Sequence, residues 1–370
     1  MRVGLNATCF NDRPSGANQR FVGIYSELFK MLSDTEFVIY EPLDCRVGSW
    51  FHESPNVSVH RTPLPSVGRI KKVYKGVGYW NKALQHENSY IFECFSLPLI
   101  KPPTGLTTVT IHDMRRMLEG TRRLDNWLFK ANVGRAFNQV DHVITVSETM
   151  KNEILGFYPD LKISVIYNGI NINDFGNVSD DEAQRIRQKY QMPEQFIMTI
   201  GHLEKRKNYL RLIEALEILH SRGIAPYLLI VGNDSGEGKV LKDRIASAKL
   251  TGQVNILSGL SDTEVQCLYK LCSLFVFPST YEGFGIPILE AMVSGCPMVV
   301  SDIPVFKEIT QNQGRYFPPD SADAMALAIE EGLESQEERE RLIQYGSRRA
   351  QDFSFGNIAE SYATLYELLR

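Results

Sequence analysis

One stretch limits what this chain can fold into: SLFVFPSTYEGFGIPILEAMVSGCPMVVSD, from Ser273 to Asp302. It opens with an apolar run, Leu274 to Phe277, of the length and composition of a buried strand. A loop follows from Pro278 to Gly285. Pro287 suits the first helical position, where a missing N–H leaves no bond unmade. The helix runs through Leu289, Ala291 and Met292 and stops at Gly295, a natural C-terminal cap. After Pro297 a second apolar run, Met298 to Val300, reads as another buried strand. Strand, loop, helix and strand in that order make one unit of a parallel sheet, so the chain is α/β.

The loop carries the chemistry. Glu282 and Glu290 flank seven residues, the first ahead of the helix and the second about one turn inside it. Gly283 and Gly285 let the backbone approach a ligand closely. The amides of Gly283, Phe284, Gly285 and Ile286 sit at a helix N-terminus, which favours a diphosphate. A carboxylate beside a diphosphate is useful only where it meets hydroxyls. A sugar nucleotide offers that arrangement, with a hexose for Glu282 on one side and a ribose for Glu290 on the other. The plainer alternative makes one glutamate a cap and the other a solvated helix residue; the glycines, the proline and the strand context weigh against it.

This stretch resembles the signature of the retaining glycosyltransferases of family 4, whose usual wording is close to EGFGIPILEAMASGCPVVAS. The resemblance is nearly continuous here, covers most of the second half of the chain and touches the first half in patches. It implies the GT-B fold, two Rossmann-like parallel-sheet domains facing across a cleft. The expected boundaries are 1–175 for an acceptor-side domain and 190–355 for the domain that binds the nucleotide sugar. A C-terminal helix, 356–370, is expected to pack back on the first domain.

Composition agrees with an enzyme of this kind. A length of 370 residues suits two domains. The net charge of -4 argues against a nucleic-acid partner, which usually meets a strongly basic domain. No run approaches the ~18 apolar residues of a membrane span. The first residues, MRVGLNATCF, lack the apolar core of a signal peptide, so a cytoplasmic protein is expected. Six cysteines without CxxC spacing read as reduced core residues. No Asp-x-Asp motif stands at a strand end, so no metal is indicated and no cofactor is expected beyond the donor substrate.

In the first half, Arg2 to Thr8 reads as a strand, and a polar loop leads to a helix from about Asn18 to Leu32. Gly16, just before that helix, can bring backbone amides up to a phosphate or can simply make a turn. In family 4 a glycine-rich loop stands here, usually with two adjacent glycines; this chain has Gly16 followed by Ala17. From Pro42 to Lys82 the chain reads as loops with one short helix. RIKKVYKGVGYW, within it, offers a basic and aromatic face to an acidic acceptor or a lipid head group, or is merely solvated. Further strands are expected at Tyr90 to Phe95, Thr108 to Ile111 and His142 to Val146. His112 and Asp113 follow the second of these, on the side of an α/β sheet where ligands bind. His112 can be structural or can bond a sugar hydroxyl. The resemblance favours the second role, because family 4 mannosyltransferases carry a histidine after this strand that reaches the donor sugar. Arg115, Arg116, Arg122 and Arg123 are candidate contacts for an acceptor phosphate.

The second half opens with QFIMTIG, a strand running into Gly201. Lys205, Arg206 and Lys207 then precede a helix whose apolar face holds Leu212, Ile213, Leu216 and Leu219. Cations are poorly placed at a helix N-terminus, so this position suggests that they answer an anion. A departing diphosphate would supply one. Family 4 enzymes carry an arginine and a lysine five apart here; Lys207 matches the lysine, while His202 stands at the arginine's place and Arg206 can take over its charge. Gly259 and Leu260 follow another strand, where the family holds the nucleobase edge with backbone groups.

These readings converge on transfer of a hexosyl group from a nucleoside-diphosphate sugar to a glycan or polyprenyl-linked acceptor, with retention at the anomeric carbon. Glu282, Lys207 and His112 are the expected catalytic residues. Gly16, Arg206, Gly259, Leu260, Gly283, Phe284, Gly285 and Glu290 are expected to hold the donor. His112-Asp113 and LEKRKN resemble the wording of bacterial mannosyl- and rhamnosyltransferases of surface polysaccharide assembly, which points to GDP-mannose and to work at the cytoplasmic membrane face. A UDP sugar, a sugar-nucleotide epimerase of similar fold and a non-catalytic subunit stay open as alternatives.

Overall fold

We describe a computed structural model over residues 1–12, 15–51, 54–67, 76, 78–80, 82–83, 88–96, 101–102, 104–118, 133–176 and 178–370. The chain divides into two compact units. One comprises Met1–Gly169 with Ser354–Arg370, and the other Ile170–Phe353.

The first unit holds seven parallel strands in the order β3-β2-β1-β4-β5-β6-β7. They are β1 (Arg2–Asn6), β2 (Glu36–Glu41), β3 (Val57–Arg61), β4 (Ile91–Cys94), β5 (Leu106–Ile111), β6 (His142–Thr145) and β7 (Ile163–Val165). Helix α1 (Gly16–Met31) starts at the Ser15 cap, whose hydroxyl accepts from the Asn18 amide at 3.2 Å. The short helix α2 (Arg115–Leu118) carries Arg115 and Arg116, and α3 (Glu148–Phe157) follows β6. The last helix of the chain, α13 (Phe355–Leu369), packs Ile358, Tyr362 and Tyr366 into the core formed by Val3, Leu5, Phe21, Tyr25 and Phe29. Its apolar face is unusable without that partner, which explains why the chain returns here.

The second unit is a six-stranded parallel sheet in the order β10-β9-β8-β11-β12-β13. Its strands are β8 (Ile197–Ile200), β9 (Leu228–Val231), β10 (Val254–Leu257), β11 (Leu274–Phe277), β12 (Met298–Ser301) and β13 (Arg315–Phe317). Helices α4 (Ile172–Gly176) and α5 (Asp180–Lys189) precede them, α6 (Tyr209–Ser221), α7 (Gly238–Ser247), α8 (Asp262–Leu271), α9 (Ile286–Val293) and α10 (Pro304–Ile309) connect them, and α11 (Ala322–Glu334) and α12 (Gln336–Ala350) follow. Strand order reverses between β8 and β11, which pair directly through Leu274 with Ile197 and Phe275 with Met198. Connections on either side of that seam leave in opposite directions and open a crevice at the carboxyl ends of the two strands.

Two expectations are corrected. Residues 42–82 are not loops with a short helix alone: β3 lies among them and pairs with β2 from Phe37 opposite Val57 to Glu41 opposite Arg61. Four of the five β3 residues are exposed, as suits an edge strand, so no apolar run announced it. Residues 170–175, expected to end the first domain, and the stretch 176–189 left between the two expected domains belong to the second unit. There Val178 and Ala183 pack with Cys267 of α8. Most of RIKKVYKGVGYW, and both Arg122 and Arg123, lie outside the described residues. Among the described residues no helix is long and apolar enough to cross a membrane.

Candidate active site

The second unit builds its charged site at the β8–β11 seam. After β8 the chain turns at Gly201, whose φ of +141° only glycine adopts freely. A side chain there would also collide with Lys207, whose Cε stands 2.6 Å from the place a Cβ would take. A single 3-10 turn, Lys205–Lys207, and Asn208 in the left-handed conformation then swing the chain into α6. The turn folds Lys207 back beneath the strand end, where it is 6% exposed. Its ammonium lies 4.7 Å from the centre of the Phe277 ring at the end of β11.

The loop after β11 meets this turn. The Thr280 amide donates to the Arg206 carbonyl at 2.8 Å, which fixes the two loops side by side. Glu282 then receives both cations: Lys207 Nζ at 2.7 Å on Oε1 and Arg206 Nη1 at 2.6 Å on Oε2. The Ser279 hydroxyl donates to Oε1 at 2.9 Å. Arg206 also bridges to Glu204 at 2.6 Å and donates to the Tyr281 carbonyl at 3.2 Å. Burial alone would raise the Glu282 carboxyl, but the charges of Lys207 and Arg206 outweigh it and hold the group below the ordinary carboxylate range. Burial lowers Lys207 despite its partner. For Arg206 the two carboxylates overcome burial and raise it. The anion that these cations answer in the structure is therefore Glu282, one of the residues expected to grip the donor.

Helix α9 begins at Gly285, which caps it with φ +114°. Its end is a Schellman turn: Gly295 adopts φ +63°, the Cys296 amide donates to Ala291 O at 2.9 Å and the Gly295 amide to Met292 O at 3.2 Å. Gly283, Phe284 and Gly285 are buried ahead of the helix. The Phe284 ring packs against Phe353, so only its backbone faces the loop's chemistry. Glu290, in the middle of α9, stands apart from the ion cluster. Tyr269 of α8 donates to its Oε2 at 3.0 Å. Part of the side chain reaches the surface, yet protein encloses the carboxyl closely enough that burial pushes it up to about 7. Gly259, with φ +70° and open space around its Cα, and the half-buried Leu260 lead into α8. Ser261 and Glu264 then form a capping box that starts this helix. The segment proposed to meet the base thus belongs to the same connection that supplies Tyr269.

Gly16 and His112 lie in the first unit. Gly16 is the first residue of α1. His112 directly follows β5 and is half-buried, and burial together with the charge of Arg20 pushes it down to about 3. The imidazole is neutral at physiological pH. Arg20, on α1, is 3% exposed and donates to Tyr362 at 3.1 Å and to the Ile166 carbonyl at 3.4 Å. Beneath it Glu93 of β4, fully buried, accepts from Tyr366 at 2.8 Å and Thr110 at 3.0 Å.

Ser279, Glu204, Tyr269 and Arg20 were not singled out by sequence reasoning. Ser279 was findable from its place three residues before Glu282 on a turn. Tyr269 was not, because it occupies an ordinary apolar position of an amphipathic helix and its hydroxyl finds Glu290 only in three dimensions. Among the described residues no group of three His, Cys, Asp or Glu side chains is placed to hold a metal ion.

Residues 180–349 match the family described as glycosyl transferases group 1, and residues 45–174 that described as glycosyltransferase family 4. The O-antigen chain mannosyltransferase RfbU of Salmonella typhimurium is 31% identical over 63% of this chain. The O-antigen chain mannosyltransferase B of Escherichia coli is 32% identical over 61% of it. These matches span 62% and 60% of those relatives, about three fifths of their length. Among solved structures, sucrose-phosphate synthase from Thermosynechococcus elongatus superimposes with a TM-score of 0.76 at 17% identity, covering 100% of this chain and 98% of that one.

Proposed function

The chain belongs to the glycosyltransferases, as a family 4 domain followed by a group 1 domain on a GT-B fold, and from that premise we propose that it is a retaining hexosyltransferase of surface polysaccharide assembly. Its donor is a nucleoside-diphosphate sugar, and the relatives named as O-antigen mannosyltransferases favour GDP-mannose. Its acceptor is a glycan or a polyprenyl-linked oligosaccharide presented at the cytoplasmic membrane face.

The observation that carries this reading is the Lys207–Glu282–Arg206 cluster at the strand-order reversal. In the reaction the bond between the anomeric carbon and the β-phosphate oxygen breaks, and an acceptor hydroxyl forms the new bond on the same face. The departing diphosphate takes the acceptor's proton. Charge accumulates on that phosphate in the transition state, and Lys207 and Arg206, held in a partly dry site, are poised to stabilise it. Arrival of a diphosphate draws them from Glu282, which is then available to hexose hydroxyls. Glu290 accepts from the ribose, and the amides of Gly283, Phe284 and Gly285 at the start of α9 add donors to the phosphates. His112 contacts the transferred sugar as a neutral hydrogen-bonding group, on the support of its place at the carboxyl end of β5. The two side-chain cations supply the charge that a divalent ion supplies in other transferases, so we propose metal-independent transfer.

The test is an assay of the purified protein with GDP-mannose, other GDP hexoses and UDP hexoses, each in excess EDTA, with the product's anomeric configuration read by NMR. Transfer from a GDP hexose with α-configured product is expected. Transfer only from a UDP sugar would correct the donor, an inverted product the mechanism, and activity restored only by manganese the metal-free proposal. Epimerisation of a donor without an acceptor would replace the function.

A further inference from the structure

Tyr269 has no part in the chemistry above, yet its hydroxyl is bonded to Glu290 from a fully buried position. Its side chain has no exposed surface. The ring packs against Phe275 of β11 at 5.3 Å and meets Phe175 of α4 edge-on at 6.2 Å. A buried phenol costs free energy unless its hydroxyl is bonded. Here the hydroxyl reaches two acceptors on the same helix, Glu290 Oε2 at 3.0 Å and the Pro287 carbonyl at 3.3 Å. It has one proton to give, and an ionised carboxylate is the stronger acceptor.

The consequence is directional. A glutamate in mid-helix has three side-chain torsions and can spread its carboxylate over several positions. Engaging Oε2 removes most of that freedom and leaves Oε1 as the oxygen available to a ligand. A vicinal diol needs an acceptor held in one place, because the gain from two hydrogen bonds is offset by any ordering that occurs on binding. We propose that Tyr269 is a positioning residue for the donor's ribose: it locks Glu290 through Oε2 so that Oε1 meets the ribose diol. This rests on the reading of Glu290 given above and adds the group that sets its geometry.

The same bond tunes the carboxyl. Burial raises Glu290, donation from Tyr269 opposes that rise by favouring the ionised form, and the charges of Asp262 and Lys207 act in opposite directions on it, the first raising and the second lowering. Replacing the hydroxyl by hydrogen therefore moves Glu290 to a still higher pKa and shifts any binding that depends on its carboxylate to higher pH.

The experiment is calorimetric titration of the parent protein and of Tyr269→Phe with GDP or UDP, whichever the parent binds, and with the matching 2′,3′-dideoxynucleoside diphosphate. Phenylalanine keeps the ring packing, so the fold is retained. The proposal expects the parent to prefer the ribonucleotide. It expects Tyr269→Phe to weaken ribonucleotide binding about tenfold and to leave the dideoxy ligand unchanged. The pH midpoint of ribonucleotide binding should also rise in the variant. Equal weakening of both ligands would reduce Tyr269 to a packing residue and overturn the proposal, as would no weakening of either. A parent that does not distinguish the two ligands would instead remove the Glu290–ribose contact, and the role of Tyr269 with it. Failure to bind either ribonucleotide would remove the nucleotide reading itself.

Discussion

Glu282 and Glu290 come from one turn of chain, carry the same side chain and are placed in opposite electrostatic surroundings. Glu282 sits 12% exposed against an ammonium, a guanidinium and a hydroxyl, and is held ionised below the usual range. Glu290 has one neutral phenol for a partner and is pushed up to about 7. The difference follows from where the helix starts. Residues ahead of α9 reach the Lys205–Lys207 turn at the seam, whereas one further turn carries Glu290 round to face α8. A spacing of seven residues between the glutamates thus separates a strongly ionic position, suited to exchanging partners with a diphosphate, from a weakly ionic one suited to hydroxyls.

The comparison sharpens first in turnover. Lys207→Ala and Glu282→Ala are each expected to lower kcat about 100-fold or more, roughly 3 kcal/mol of transition-state stabilisation. Glu290→Ala should act mainly on KM for the donor, because its contact to the ribose is made equally before and during transfer. Steady-state kinetics at saturating donor separate the two. Rates within a few-fold of the parent for the first pair, or an equal loss of kcat for Glu290→Ala, would erase the distinction.

A smaller effect should appear in stability. Glu290 is raised to about 7 in the folded chain and returns to an ordinary value near 4.3 on unfolding. Its protonated form therefore favours the folded state fully below about pH 4, and that contribution is lost as pH rises through about 7. Glu290→Gln keeps the uncharged shape and avoids the loss. Its melting temperature should match the parent at about pH 4 and exceed it by a few degrees from about pH 7 upward. A difference that is flat with pH, or of opposite sign, would show that Glu290 is not strained in its charged form.

Much of this was legible in the sequence for a physical reason. Leu274–Phe277 and Met298–Ser301 are buried on both faces, and Gly295 supplies the left-handed residue that closes the helix between them, so the strand–helix–strand unit was written in local pattern. The pairing of Lys207 and Arg206 with Glu282 was half legible. Three cations ahead of a helix demanded an anion, but the separation of Lys207 from Glu282 by 75 residues in the chain hid which one. β3 was illegible because an edge strand needs no apolar run, and residues 170–189 were not legible as part of the second domain because α5 is acidic in its first turn and buries little beyond Ala183. Tyr269 could be found only once α8 and α9 stood side by side.

The most direct test of the central claim is a crystal structure of the protein with its donor bound. The account predicts the diphosphate within hydrogen-bonding distance of Lys207 Nζ and the Arg206 guanidinium, Glu282 on hexose hydroxyls and Glu290 on the ribose. A nucleotide lodged elsewhere, with the Lys207–Glu282 and Arg206–Glu282 pairs intact, would contradict it.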